Sequence, residues 1–344
     1  MQRIVLASRP EGRPTPTDFR LEDAPAPTLE DGHVLCEVMW LSLDPYMRGR
    51  MDDAKSYADP VPLGGVMEGG TVARVIESRS SRFEAGDIVE GRLGWQTHGT
   101  ASEQAIRKLD PALAPPQTAL GVLGMPGFTA WIGLLEHGQP EPGQTLVVSA
   151  ATGAVGALVG QLGKRAGLRV VGIAGGTDKC AYAVDTLGFD ACVDHRALTD
   201  TRSLSEALKG ACPDGVDIYY ENVGGKSLRA VLPRLNVGAR IPVCGMISWY
   251  NGRVGETGDP MLDSFSVPQL WRTVLVNRLS VRGFIITDHY ARFGDFLRDV
   301  GPAVGSGDIV YRESVSEGLA SAPEAFIGLL GGANFGKQLV RIAE

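Results

Sequence analysis

The segment "TLVVSAATGAVGALVGQLGKRAG", Thr145 to Gly167, decides the fold. It opens on β-branched and apolar residues, passes through small ones, and continues with small and apolar residues at helical spacing. That pattern predicts a buried strand over 145–150 and a helix over 156–167. Between them stands "AATGAVG", Ala150 to Gly156, an A-x-x-G-x-x-G variant of the glycine-rich dinucleotide fingerprint. Small residues here permit a tight turn, let backbone N–H groups approach a pyrophosphate, and let the helix pack on the sheet. The start of the helix also favours an anion. Leu146 to Gly163 is uncharged over 18 residues and carries G-x-x-x-G at Gly156 and Gly160, which is also a membrane-helix pattern. Four glycines with Ser149 and Thr152 interrupt it, so strand, turn and packed helix is the better reading and no membrane contact is expected.

Working outward, "RVVGIA" (169–174) precedes the helical "TDKCAYAVDTLG" (177–188). "DACVD" (190–194), "VDIYYEN" (216–222), "GARIPVCG" (238–245) and "SVRGFII" (280–286) read as further strands, most of them separated by helical segments. Strands alternating with helices imply parallel crossovers, hence an α/β Rossmann domain with a doubly wound, six-stranded parallel sheet. Before residue 115 the character differs. "HVLCEVMWLSL" (33–43), "GGTVARVIES" (69–78) and "DIVEGRL" (87–93) are strand-like runs between turn residues, which predicts a mostly β domain. The tail "GKQLVRIAE" (336–344) reads as a strand returning to it. The expected division is 1–120 with 310–344, and 121–309.

Composition narrows the function. The 344 residues are 44% hydrophobic and 21% charged, as in an ordinary soluble domain pair, and a net charge of -7 argues against nucleic acid as a partner. Cysteines at 36, 180, 192, 212 and 244 form no C-x-x-C pair, which fits a reducing cytosol better than a disulfide framework. No long apolar run follows Arg3, so a secretory signal is not expected and a cytoplasmic location is.

The turn "GIAGGTDK" (172–179) selects between two cofactors. An NAD site places Asp or Glu at the end of the second strand to hold the ribose 2′-hydroxyl. Gly175 stands there instead, 19 residues after Gly156, and Lys179 follows on the next helix. Glycine leaves room for a 2′-phosphate and the lysine supplies charge, so NADPH is the expected cofactor.

At this point the sequence resembles a known family. "SLDPYMRGRM" (42–51), "GMPGFTAWIGL" (124–134), "SAATGAVGALVGQ" (149–161), "YENVGG" (220–225), "CGMISWYNG" (244–252) and "GANFGK" (332–337) are similar to the zinc-independent medium-chain reductases, in the prostaglandin reductase and alkenal double-bond reductase branch. The resemblance implies a GroES-like β domain joined to the Rossmann domain, NADPH in the cleft between them, and a homodimer. It places Gly153, Ala154, Val155 and Gly156 at the pyrophosphate, and Gly175, Lys179 and His195 at the 2′-phosphate. Asn222, the turn from Cys244 through Ile247 and Ser248 to Tyr250, Phe284, Ile285, Ile286 and Asn334 would line the rest of the cofactor. One departure stands out: Asp194-His195 replaces the family's usual Asn-Tyr, and Asp194 brings an opposing charge, with Arg196 beside it.

No metal is expected in the chemistry. The first domain offers only Cys36, His33 and His98 as zinc ligands, in no recognisable motif, and "GGVMEGG" (64–70) lacks a histidine beside its glutamate. Without a Lewis acid, reducing a conjugated C=C is more accessible than reducing an isolated ketone. The site must hold the β-carbon at the nicotinamide and stabilise the enolate oxygen. A tyrosine hydroxyl suits that task. Tyr250 follows the fifth Rossmann strand, at the carboxyl edge where ligands bind, and is the expected donor. Tyr46, in the loop that faces the nicotinamide in the family, is the expected pocket residue. Trp249, Met125 and Phe284 would add apolar walls, and the loop 251–266 would shape the pocket. Cys244 ends an apolar strand and reads as a structural thiol, and "DFLRDV" (295–300) as a solvated helix face. The expected activity is NADPH-dependent reduction of enals and enones. A quinone reductase and a catalytically silent NADPH-binding protein are the alternatives.

Overall fold

The computed structural model describes residues 1–252 and 267–343, and residues 253–266 of the expected pocket loop lie outside them. The chain divides into two compact units, Met1–Gly124 with Glu313–Glu344, and Met125–Arg312.

The first unit is mostly β. β1 (Gln2–Leu6) pairs antiparallel with β2 (Phe19–Asp23) as a separate ribbon. β3 (His33–Ser42) pairs antiparallel with β4 (Thr71–Ser78), after a short helix α1 (Met47–Arg50). β5 (Ile88–Gly91), β6 (His98–Ser102) and β7 (Arg107–Lys108) complete this part of the sheet. Strand alternation sends Val34, Cys36 and Val38 of β3 into a core with Val75, Phe83, Val89 and Ile106. Neither β1 nor β2 was expected from sequence; five-residue strands in a two-stranded ribbon carry little periodic signal.

The second unit begins with α2 (Met125–Ile132). There follow β8 (Thr145–Ser149), α3 (Gly156–Arg165), β9 (Arg169–Ala174), α4 (Thr177–Asp185), β10 (Ala191–Asp194) and α5 (Thr201–Ala211). β11 (Val216–Tyr220), α6 (Gly225–Val231), β12 (Leu235–Val243) and β13 (Ser280–Gly283) complete it, with helices at Val267–Asn277 and Phe293–Ser306 flanking β13. The six strands lie in the order β10-β9-β8-β11-β12-β13, every neighbouring pair parallel. This is the doubly wound arrangement the alternation predicted, with the order reversing beside β8.

Glycines set the closeness of α3 to the sheet. A Cβ at Gly160 would lie 1.9 Å from the Phe189 ring, and one at Gly163 would lie 2.7 Å from Leu146. The G-x-x-x-G glycines thus sit against the Ala150 turn and the Phe189 ring, with Gly163 against the sheet, and among the described residues no helix is long and apolar enough to cross a membrane. In the helix Phe293–Ser306, Phe296 and Val300 are buried while Asp295, Arg298 and Asp299 are exposed, the solvated face expected of "DFLRDV".

The chain then returns to the first unit. β14 (Glu313–Glu317) pairs parallel with β15 (Lys337–Arg341), and β15 pairs antiparallel with β3.

Candidate active site

The carboxyl edge of the parallel sheet collects most of the expected cofactor residues. At the end of β8, Ala150 adopts a left-handed φ of 50°, which turns the chain sharply towards α3. A Cβ at Gly156 would meet the Ala150 carbonyl oxygen at 2.4 Å, so only glycine permits this start of α3. Gly153 donates to Ala150 O at 2.9 Å, and Ala154 and Val155 lead into the first turn of the helix. Early helical N–H groups lack intrahelical partners, which makes this turn able to hold a phosphate oxygen.

Beside it, the β9 and β10 ends form a cationic corner around Gly175. A Cβ there would lie 2.8 Å from Arg196 Nε and 2.9 Å from His195 Nε2, so the missing side chain is what lets these groups converge. Lys179 is half-buried, and burial followed by the nearby Arg196 charge pushes its ammonium below the ordinary lysine range. His195 is likewise pushed down by burial, then by Lys226 and Arg196. Asp194 is not aimed at a ligand. Its carboxylate accepts backbone N–H bonds from Gly176 at 2.8 Å and Arg196 at 2.9 Å, and these hold it below the usual carboxylate range. The departure Asp194-His195 thus reads as a staple for the loop plus one ring of the corner. Arg196, which follows His195 in sequence, joins the corner through the turn that Asp194 holds.

Between β11 and β12 the organising group is Glu221, which sequence reasoning passed over. The strand "VDIYYEN" ends at Tyr220, the last residue paired with β8, while Glu221 keeps a single bridge to Val243 of β12 before the chain turns into the loop. Glu221 is 2% exposed and its Oε1 accepts from Ser149 Oγ, Tyr219 OH, Val223 N and Gly224 N at 2.7–3.1 Å. Oε2 is buried without a partner among the described residues, and burial raises the carboxyl pKa. The only sequence signal was an acid just past an apolar strand.

The same network gathers the next segment. Cys244 N and Gly245 N donate to Glu221 O, Ile247 N to Asn222 O, and Ser248 N to Val223 O. Asn222 Nδ2 donates to Ser149 O at 2.8 Å. Ser149, Asn222, Cys244, Ile247, Ser248 and Tyr250 are thereby brought together at one edge. The Tyr250 hydroxyl accepts from Met246 N–H at 3.4 Å. Burial pushes the Cys244 thiol up to about 12, so it is no nucleophile at neutral pH. Phe284, Ile285 and Ile286 leave the sheet after Gly283, the last residue paired with β12. Phe284 packs on His137 at 4.9 Å between ring centroids.

Tyr46 and Asn334 belong to the first unit. Tyr46 precedes α1 and is partly exposed; burial first, then the Asp44 charge, pushes its phenol well above the ordinary range. Its loop is fixed by a buried pair in which Lys337 Nζ donates to Asp44 Oδ1 and to Leu43 O. Asn334 donates to Gly336 O at 2.7 Å. Of the residues considered for zinc, Cys36 is fully buried among valines, with its thiol pushed up to about 12 by burial. His33 and His98 bond locally, to Asp31 O and Thr97 Oγ1. Among the described residues the one grouping with metal-ligand spacing is Glu136, His137 and His289, in the other unit, where Arg292 already bonds the Glu136 carboxylate at 3.0 Å.

Comparison with known proteins gives this geometry its context. Residues 2–109 match the family described as "N-terminal domain of oxidoreductase", and 154–300 the one described as "Zinc-binding dehydrogenase". The chain is 52% identical over 343 residues to the NADPH-dependent curcumin reductase of Escherichia coli, covering 99% of this chain and 97% of that one. It is 38% identical over 347 residues to the 2-alkenal reductase (NADP(+)-dependent) of Nicotiana tabacum, covering 99% and 97%. The crystal structure of CurA from Vibrio vulnificus in complex with NADPH superposes with a TM-score of 0.92 at 48% identity, covering 100% of each chain. The chain belongs to the zinc-independent medium-chain reductases, a family of NADP-dependent oxidoreductases.

Proposed function

We propose that this chain uses NADPH to reduce the conjugated C=C bond of α,β-unsaturated aldehydes and ketones. The observation that carries the cofactor half is the corner at Gly175, where absence of a side chain lets Lys179, His195 and Arg196 face one small volume. That set fits a 2′-phosphate and gives no carboxylate to a 2′-hydroxyl, because Asp194 is engaged with backbone N–H groups. The likeness to a 2-alkenal reductase and a curcumin reductase supports the substrate class.

Bound NADPH supplies the hydride. The turn Gly153–Gly156, with its N–H groups and the start of α3, would hold the pyrophosphate. Asn222 and the Cys244–Ser248 segment, locked to each other through Glu221, would hold the far end of the cofactor. Tyr250 donates its hydroxyl hydrogen to the substrate carbonyl oxygen as enolate charge develops there. Tyr46 lines the substrate side.

The experiment is NADPH oxidation with a linear enal, a cyclic enone, curcumin and a quinone, repeated with NADH. Turnover of the enal and enone with NADPH is the expected result; turnover of quinones alone would overturn the substrate class. Gly175→Asp sharpens the cofactor half. It should shift the NADPH-over-NADH preference by about 100-fold towards NADH, from charge repulsion and displacement of Arg196.

A further inference from the structure

Two cysteines that the proposed reaction does not use lie against the cationic corner. Cys180 is on the first turns of α4, one residue after Lys179, and Cys192 is on β10, two residues before Asp194. Though 12 residues apart in sequence, they meet with Sγ atoms 3.1 Å apart. Gly172, paired with Cys192 across the β9–β10 register, makes room: a Cβ there would lie 3.1 Å from Cys192 Sγ. We infer that Cys180 and Cys192 are a reversible thiol-oxidation site, closing to a disulfide that loosens the 2′-phosphate corner. The second half of this inference rests on the NADPH reading above.

The geometry favours closure. The two sulfurs are separated by about 1 Å more than a disulfide bond, a gap that a small shift of the first turns of α4 can close. Both residues are only partly buried, whereas Cys36 and Cys212 are buried. The roles are also unequal. The Cys192 thiol donates to Cys180 Sγ, which pulls the Cys180 pKa down, while the same bond and burial push Cys192 up. Cys180 is therefore the attacking thiolate and Cys192 the resolving thiol.

With a hydroperoxide as oxidant, Cys180 Sγ attacks the terminal oxygen of the O–O bond and becomes a sulfenic acid, and water or an alcohol leaves. Cys192 Sγ then attacks that sulfur, and its proton departs with the displaced hydroxide as water. Two electrons pass from the thiols to the hydroperoxide, and an external dithiol reverses the bond by exchange. Closing the bond pulls α4 towards β10. Lys179 moves with one end, and the Asp194 staple on Gly176 and Arg196 strains at the other.

The test uses the full-length, pre-reduced enzyme treated with hydrogen peroxide, then mapped by non-reducing peptide mass spectrometry. The expected product is a Cys180–Cys192 linked peptide within one chain, removed by dithiothreitol. On oxidation, the NADPH Kd should rise about threefold to tenfold while the NADH Kd stays constant, since NADH has no 2′-phosphate. Cys180→Ser and Cys192→Ser should each bind NADPH like the reduced wild type and yield no linked peptide with peroxide, Cys192→Ser stopping at an oxidised Cys180. Absence of the linked peptide, or over-oxidised Cys180 without it, overturns the site. A linked peptide with unchanged NADPH affinity, or with equal loss of NADH affinity, overturns its coupling to the corner. If the reduced enzyme binds NADH as tightly as NADPH, the cofactor reading fails instead, and peptide mapping still decides the disulfide.

Discussion

Two loops carry the two tyrosines, and each is anchored by a buried carboxylate in a different electrostatic setting. Near Tyr46, Asp44 is matched by the ammonium of Lys337, itself 4% exposed, with further support from the nearly buried guanidiniums of Arg48 and Arg50. Arg48 bonds Asp52 and Gly12 O, and Arg50 bonds Glu68 and Ala58 O. Near Tyr250, the donors Glu221 meets among the described residues are neutral: two hydroxyls and two backbone N–H groups. An opposite charge offsets the cost of burying a carboxylate, whereas at Glu221 the neutral donors favour the ionised form but burial outweighs them and raises the carboxyl pKa. The first loop is held by complementary charge, and the second by a hub that fixes backbone.

The largest expected effect tests the charged anchor. Lys337→Met strands Asp44 in the interior and should cost about 4 kcal/mol of stability in urea unfolding. A loss below about 1 kcal/mol would break the contrast by showing that Asp44 finds other partners.

Next in size is a kinetic difference between the loops. Tyr250→Phe should lower kcat about 100-fold at unchanged NADPH affinity, while Tyr46→Phe should act mainly on KM for the substrate. Equal losses in kcat would place both hydroxyls at the enolate oxygen; no loss in Tyr250→Phe would remove it from the mechanism.

The smallest effect separates the anchors by pH. Because the Glu221 pKa is raised on folding, the folded state keeps a proton that the unfolded chain releases near 4.5. Its contribution is fully present below that value and is lost as pH rises through the folded pKa. Glu221→Gln should remove this slope while keeping the loop bonds through its amide oxygen. An unchanged pH profile of stability would show that Glu221 is ionised and that the unpartnered Oε2 is solvated by water.

The local pattern was legible to the extent that it is written in consecutive residues. β9 spans Arg169–Ala174 as its apolar run predicted, and α3 begins at Gly156 where the small-residue turn ends. Strand ends were less legible. "SVRGFII" was expected to run to 286, but pairing stops at Gly283, because the partner strand β12 ends at Val243. β14 gave no signal, since its burial alternates only weakly. Glu221 was missed as an organiser because nothing in its immediate neighbours distinguishes it from an ordinary turn residue.

The sequence by itself determined the α/β alternation, the phosphate-binding turn, and the glycine that stands where an NAD enzyme needs an acid. Each depends on side-chain size or backbone freedom at one position, so each is encoded locally. Tertiary structure alone decided where charges go. Lys337 reaches Asp44 across 293 residues because β15 returns to β3. Asp194, an apparent flaw in a phosphate site, became a backbone staple because the parallel register of β9 and β10 sets its carboxylate under Gly176. The packing of α4 against β10 brings Cys180 and Cys192 into contact, which no spacing in the chain announces. Electrostatic energies depend on distance and burial, and strand pairing sets both.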